Sequence, residues 1–337
     1  MKAGESKSVQ IIFDTDMDVD CDDAGALAVL HALMDNGEAE ILGVVVDVPL
    51  EASARCVMAI NEYYNRVHIP VGLIKNYEYE EGDTYKLYRE TKLKISKFRN
   101  PYTKIVVEHF VSETIKTQKI FDAVSLYRSL LSKAEDRSVV ITAVGLLSAL
   151  RYLLESPPDD ISELNGLELV EKKVKKLVTM GIGRYPEAEE EFNWLMDWES
   201  ARKVIRHWPT PLVVQSNGTQ FLTGSKLSIK TPESNPVRMC YETYFGRPRK
   251  GNNSWDPIAA LYSVRGADPY LDEKKRFHII LEQELGKNHW VSDENNEHNH
   301  SFLQLKIEVP KIKFKEALED LIIKPPQKIN GKYKGII

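Results

Sequence analysis

The sequence predicts an α/β fold built on a mostly parallel sheet flanked by helices, with a small antiparallel excursion near the C-terminus. Three observations carry this. Short β-branched runs alternate with amphipathic segments through the first half of the chain, the pattern of strand–helix–strand units. The apolar run VQIIF at residues 9–13 leads directly into an acidic turn and a helix. The last third changes to alternating runs of period two, the spacing of strands rather than helices.

In chain order, a strand at 9–13, a helix at 22–34 stopping near Gly37, a strand at 41–46 (ILGVVV) and a helix at 51–65 form the first unit. Residues 75–109, rich in Tyr, Lys, Arg and Glu and without clean periodicity, read as an insertion over the sheet edge or the site. The pattern resumes with a helix at 122–134, a strand at 138–143, a helix at 146–154, a strand at 176–180, a helix at 200–207 and a strand at 211–214. A helix at 256–264, alternating runs at 277–282, 289–292 and 301–307, and a helix at 311–323 complete it. No repeat or linker interrupts the series, so residues 1–337 read as one domain with 270–337 as a C-terminal extension.

The bulk numbers exclude several function classes. With 337 residues, 42% of them hydrophobic and 28% charged, the chain can bury a large core. A net charge of -5 and a pI near 6.0 give no electrostatic footprint for nucleic acid or an anionic membrane, so a small-molecule substrate is expected. Cys21, Cys56 and Cys240 are odd in number and widely spaced, which predicts reduced, mostly buried thiols and neither a disulfide framework nor a zinc site. No apolar run reaches the roughly 18 residues that span a bilayer, and MKAGESKSVQ lacks the apolar core of a signal peptide. The expected location is cytoplasmic; a trimmed upstream signal would make the protein exported or periplasmic instead.

The chemistry concentrates in DTDMDVDCDDAGALAVL. Asp14, Asp16, Asp18, Asp20, Asp22 and Asp23 fall directly after a strand and before a helix, where ligands bind in open parallel sheets. Acids so crowded repel one another unless a cation or donors neutralise them. Helix capping can absorb one or two of them, not six. Oxygen ligands alone favour a hard cation, and several carboxylates in one protein cage favour Ca2+ over Mg2+. An EF-hand begun at Asp14 fails, because its sixth and twelfth places hold Val19 and Gly25. An aspartate-nucleophile phosphatase would use a pair like Asp14 and Asp16, but usually carries Thr or Val where Asp18 stands. A purely structural calcium site is a third possibility.

Four islands resemble the inosine-uridine-preferring nucleoside hydrolases. Asp14-Thr15-Asp16 followed by Asp22-Asp23-Ala24 is similar to that family's DTDxG…DDA, with the longer spacer of one branch. GLLSALRYLLES at 145–156 looks like its GPLTNLA segment, EFNWLMDWESARKVI at 191–205 like EFNxxxDPEAAxxV, and SWDPIAALYSV at 254–264 like HDPLAVAY. The resemblance implies one α/β domain with a Rossmann-like core, one Ca2+, and hydrolysis of an N-ribosidic bond. It implies Asp16 as metal ligand and general base on a calcium-bound water, Asp23 as a bidentate ligand, Asp256 as a further ligand, and the backbone carbonyl of Ala143 as the last. Asp22, Glu191 and Asn193 would hold the ribose hydroxyls, with Met180 close to the sugar. Assembly as a homo-oligomer, a dimer or tetramer, is also implied.

Three positions depart from the family pattern. Asp18 stands where Gly is usual, which is read as an Asp tolerating a left-handed backbone rather than as an added site carboxylate. Asp47 lies where a sugar-binding Asn is often found. Trp255 replaces a His thought to protonate the leaving base in pyrimidine-handling members; it reads either as an indole stacked on the base, favouring a purine, or as a core aromatic. His31 in the first helix, and His298 and His300 in the turn DENNEHNH, read as structural or surface residues that do not support zinc. The competing readings are a hydrolase, a ribosyl-ligand binding protein with weak turnover, and the phosphatase.

Overall fold

The computed structural model describes residues 8–18, 20–75, 102–181, 191–284, 286–329 and 332–333. Its first strand, β1 (Val9–Thr15), is buried from Ile11 onward whichever way successive side chains point, as befits a central parallel strand covered on both faces. Chain order then runs α1 (Asp22–Asp35), β2 (Ala39–Val46), α2 (Glu51–Tyr63), β3 (Val71–Leu73), α3 (Thr103–Phe110), α4 (Glu113–Thr117), β4 (Phe121–Asp122), α5 (Ala123–Lys133) and β5 (Val139–Ala143). Next come α6 (Ser148–Glu155), α7 (Gly166–Lys173), β6 (Val174–Met180), α8 (Phe192–Met196), α9 (Trp198–His207) and β7 (Leu212–Gln215). The chain continues with β8 (Leu222–Thr223), α10 (Leu227–Lys230), α11 (Pro236–Phe245), β9 (Asn252–Asn253) and α12 (Trp255–Arg265). It closes with β10 (Leu271–Leu281), β11 (Asn288–Ser292), β12 (His300–Leu305), α13 (Lys311–Ile322) and the small pair β13 (Lys328–Ile329) and β14 (Lys332–Tyr333).

One ten-stranded sheet organises the molecule, in the order β11-β10-β12-β7-β6-β5-β1-β2-β3-β4. From β12 to β4 every pairing is parallel. The period of two in each strand splits the core into two layers. Ile11, Phe13, Val44, Val46, Val140, Val178 and Val213 face α1, α2, α11, α12 and α13. Ile12, Val45, Ile141, Leu177 and Val214 face α5, α6, α7 and α9. The first helix, α1, is buried at every position from Asp22 to Leu33 because it lies between the sheet and α12 and α13, which explains its lack of a polar stripe.

The C-terminal runs form the expected antiparallel excursion, as one edge of the main sheet. β10 pairs antiparallel with β11 and β12, but β12 runs parallel to β7, so all three extend the main sheet. β10 starts six residues before the alternating run at 277, through the charged stretch LDEKKR; an irregular register between Lys274 and Phe277, with Arg276 at φ 66°, marks the join. His300, read from sequence as part of a solvated turn, opens β12 and is only 4% exposed. His31 is structural as expected, bonded to Asn61 at 2.9 Å and stacked on Tyr64. All three cysteines are buried free thiols. Of the expected insertion at 75–109, residues 76–101 lie outside the described residues; its end forms α3, which packs on α2 and α11 with Tyr102 and Thr103 buried.

The layer holding α5, α6 and α7 is fastened by one buried guanidinium. Arg128 on α5 is 1% exposed and donates to both Asp159 oxygens (2.8 Å each), to Ser156 Oγ (2.9 Å) and to the Ser162 and Leu164 carbonyls (3.0 Å each). Arg128→Met keeps the apolar stem and strands those acceptors, so it is expected to cost about 3 kcal/mol, and Arg128→Lys cannot restore the planar fork. Urea denaturation measures this; an unchanged midpoint in Arg128→Met would show that the network does not hold the layer.

Candidate functional site

The C-terminal ends of β1, β2, β5 and β6 converge at the N-terminal ends of α1 and α12, and the acids collect there. Asp14, the penultimate residue of β1, is fully buried; Tyr127 on α5 donates to its Oδ2. Its Oδ1 and the Oδ1 of Asp47 are buried with no hydrogen-bond partner, and two neighbouring buried carboxyls do not both ionise without compensation. Burial, with Asp47 next, holds Asp14 well above the usual carboxylate range; burial raises Asp47 to about 6.

Beside this pair lies a set of oxygens suited to a hard cation. One carboxylate oxygen from each of Asp20, Asp23 and Asp256 lies within 4.8 Å of the others. Asp16, 3% exposed, brings a buried Oδ2 with no hydrogen-bond donor. Burial first, then the neighbouring carboxylates, raises Asp16, Asp23 and Asp256 well above their normal range. A buried orphan oxygen beside three more carboxylates, with no nitrogen or sulfur ligand among them, fits Ca2+ or Mg2+ and not zinc. Asp23 is oriented by Thr15 Oγ1, which donates to its Oδ1 and itself accepts from Met17 N at 3.1 Å. Asp256 is placed by the first turn of α12, and Ala143 stands as the last residue of β5, in register with Asp14 and Thr179.

Several residues sit differently from expectation. Asp20, for which the resemblance implies no ligand role, joins the cation-type group. Asp22, expected at the ribose, spends both oxygens inside the protein: Oδ1 accepts from Asn252 Nδ2 at 3.0 Å and Oδ2 from Asp256 N at 3.2 Å, and the residue has no exposed surface. It ties β9 and α12 to α1. Asp47, expected near the sugar, accepts with Oδ2 from Leu146 N (2.6 Å) and Leu147 N (3.2 Å) and so holds the loop after β5, where Leu147 adopts φ 68°. Gly145 is required there, since a Cβ would stand 2.5 Å from the Asp47 oxygens. Asp18 is not among the described residues with positive φ, so the left-handed explanation fails. Its Oδ1 instead accepts from Thr103 Oγ1 at 2.7 Å, docking the start of α3 against the acidic turn.

The remaining candidates stand at the end of β6, at the start of α8 and at the start of α12. Met180 ends β6 at 9% exposure. Glu191 caps α8 by accepting from Asn193 N at 3.3 Å, and burial raises its carboxyl to about 7. Asn193, 7% exposed, donates to the Val144 carbonyl at 2.7 Å, which ties α8 to the β5 loop. Trp255 opens α12 half-buried, with its indole N–H on Thr219 Oγ1 at 3.2 Å and its carbonyl held by Gln215 Nε2 at 2.8 Å. Asn252, Thr103, Tyr127 and Gln215 were not legible as site residues, because each acts through a partner distant in sequence.

Comparison with known proteins gives the family and the fold. The sequence profile described as inosine-uridine preferring nucleoside hydrolase matches residues 11–313. No curated protein sequence matches the chain. Among solved structures, an inosine-guanosine nucleoside hydrolase superposes with TM-score 0.63 at 17% identity over 93% of this chain and 98% of that one. An inosine-uridine preferring nucleoside hydrolase from Bacillus anthracis gives 0.57 at 16%, over 94% and 99%. The type III effector XopQ, solved with adenosine diphosphate ribose, gives 0.62 at 12%, over 95% and 94%. At these identities the structural likeness establishes the fold.

The raised carboxyls set a pH dependence. Without a cation, Asp16, Asp23 and Asp256 keep protons that the unfolded chain gives up above about pH 4. The folded state then binds more protons than the unfolded one, and stability falls as pH rises. A cation that binds the ionised cluster opposes that fall. Melting temperatures are therefore expected to rise with added Ca2+ by more at about pH 8 than at about pH 5, and Asp256→Asn should shrink the difference. An equal calcium effect at both pH values would refute this electrostatic account.

Proposed function

Because this chain belongs to the inosine-uridine preferring nucleoside hydrolase family, we propose that it hydrolyses the N-glycosidic bond of a nucleoside or related ribosyl compound, with Ca2+ as cofactor and Asp16 as general base. The observation that carries this is the buried, donorless Asp16 Oδ2 beside the cation-type group of Asp20, Asp23 and Asp256. When bound, the cation would neutralise the cluster and lower the pKa of a water. Asp16, Asp20, Asp23 and Asp256 would hold it, with the Ala143 carbonyl as a backbone ligand.

The chain's own residues supply the rest. Asp16 accepts a proton from the attacking water. The ionised carboxylates stabilise the positive charge that develops on the sugar ring as the bond breaks. Glu191 and Asn193 bind ribose hydroxyls, with Met180 against the ring, so that remote binding energy orients the reacting bond. Trp255, half-buried at the start of α12, stacks on the leaving base; the base leaves neutral once a proton from solvent has reached its ring nitrogen, which favours a purine. The working assembly is a dimer or tetramer of this chain. Among the described residues no helix is long and apolar enough to cross a membrane.

A ribosyl-ligand binding protein with weak turnover is the second reading, favoured by one observation: Trp255 stands where a protonating His is expected. The phosphatase loses support, since Asp14 would have to be the nucleophile, yet it is fully buried and accepts a hydrogen bond from Tyr127. Incubating the calcium-loaded protein with purine and pyrimidine nucleosides should release free ribose, faster from purines, and Asp16→Asn should reduce the rate by about 10²–10⁴-fold. Binding of a ribosyl ligand with no ribose released from any nucleoside would sink the hydrolase reading and leave the binding protein.

A further inference from the structure

The sheet edge farthest from β4 gathers a second set of ligand-type side chains, with different chemistry. His278 on β10, Asp293 directly after β11, and His298 in the turn before β12 each bring one ligand atom within 4.8 Å of the others. β10 stands five strands from β1 in the sheet, roughly 24 Å at ordinary strand spacing, so this cluster is separate from the acidic turn.

Three features prepare these groups for a cation. Asp293 is held rigidly: its Oδ1 accepts from Glu297 N at 3.1 Å and its Oδ2 from His298 N at 2.9 Å, and these backbone donors hold its carboxyl down to about 2, fully ionised. His298 Nδ1 lies 3.2 Å from the same Oδ2, so the imidazole and the carboxylate already present ligand-type atoms side by side. His278 lies face to face with His298, ring centroids 3.9 Å apart, and its Nδ1 is buried with no hydrogen-bond partner. A buried ring nitrogen without a partner is costly, and turn geometry does not account for it, because Asp293 alone satisfies the turn.

We propose that His278, Asp293 and His298 form a cation site for a zinc-type d-block divalent ion. Two imidazoles and one carboxylate are a borderline donor set, which suits Zn2+, Ni2+ or Co2+ and disfavours Ca2+. Ligand atoms on one zinc ion stand roughly 3–3.5 Å apart, so the set must contract. His298 can do this by turning its ring, since its side chain is 47% exposed. The neighbouring His300 is not a ligand: it is buried, and its Nδ1 accepts from Ile279 N at 3.4 Å. The bound ion would pin β10 to the 293–299 turn and close the end of the β10–β11 pair.

The test uses the full chain in excess Ca2+, so that the acidic turn does not compete, with Zn2+ uptake followed by calorimetry and Co2+ uptake by its visible absorption. One Zn2+ per chain is expected, and Co2+ should show the absorption of a nitrogen-ligated ion. His278→Gln and His298→Ala should each weaken Zn2+ by at least the roughly 10-fold that loss of even an outer partner costs. His289→Gln, outside the cluster on β11, and Asp256→Asn should leave it unchanged. Zn2+ uptake that survives both His278→Gln and His298→Ala, or no uptake by the folded parent protein, overturns the proposal.

Discussion

Like charges crowded where strands end are the constraint on which the rest of this structure depends. Two carboxylates 4.8 Å apart, the outer limit for Asp20, Asp23 and Asp256, repel by roughly 3 kcal/mol at an effective dielectric of about 20. Three such pairs approach the whole stability of an ordinary domain, about 5–15 kcal/mol. The cluster must therefore be protonated or neutralised by a cation.

The surrounding acids solve the same problem in another way, by taking protein donors. Asp22 accepts from Asn252 and the Asp256 amide, Asp47 from the Leu146 and Leu147 amides, and Asp14 from Tyr127. Each of these contacts joins elements far apart in sequence, so neutralising the acids also sets the loops. The β5 loop is placed by Asp47, α12 by Asp22, and the start of α3 by Asp18 through Thr103. Fold and site are thus one network, in which the inward-facing carboxylates act as fasteners, and the proposed cation ligands are Asp16, which keeps a buried oxygen without a donor, and the clustered Asp20, Asp23 and Asp256.

The sequence was legible where a local pattern determines the outcome. The β1–α1–β2–α2 unit could be read because β-branched runs and helical segments alternate there, and its observed bounds differ from the reading by a few residues at most. Strand order could not be read, nor that β12 joins β7 in parallel, since pairing partners leave no local trace. The acidic turn announced a cation site, but the division of its members did not follow from spacing. Asp22 becomes a fastener because α12 and β9 approach it from more than two hundred residues away. His278 likewise meets Asp293 and His298 only once β10 and β11 pair, which is why the histidines gave no metal-ligand spacing in the sequence.

The central claim, that the carboxylates of the acidic turn and α12 form one hard-cation site, is tested most directly by calorimetric titration of the folded chain with Ca2+ near neutral pH. The account predicts a single site per chain, proton release on binding, and loss of the binding heat in Asp23→Asn and Asp256→Asn proteins that remain folded. No calcium uptake by the parent protein, or uptake unaltered by both substitutions, would contradict it.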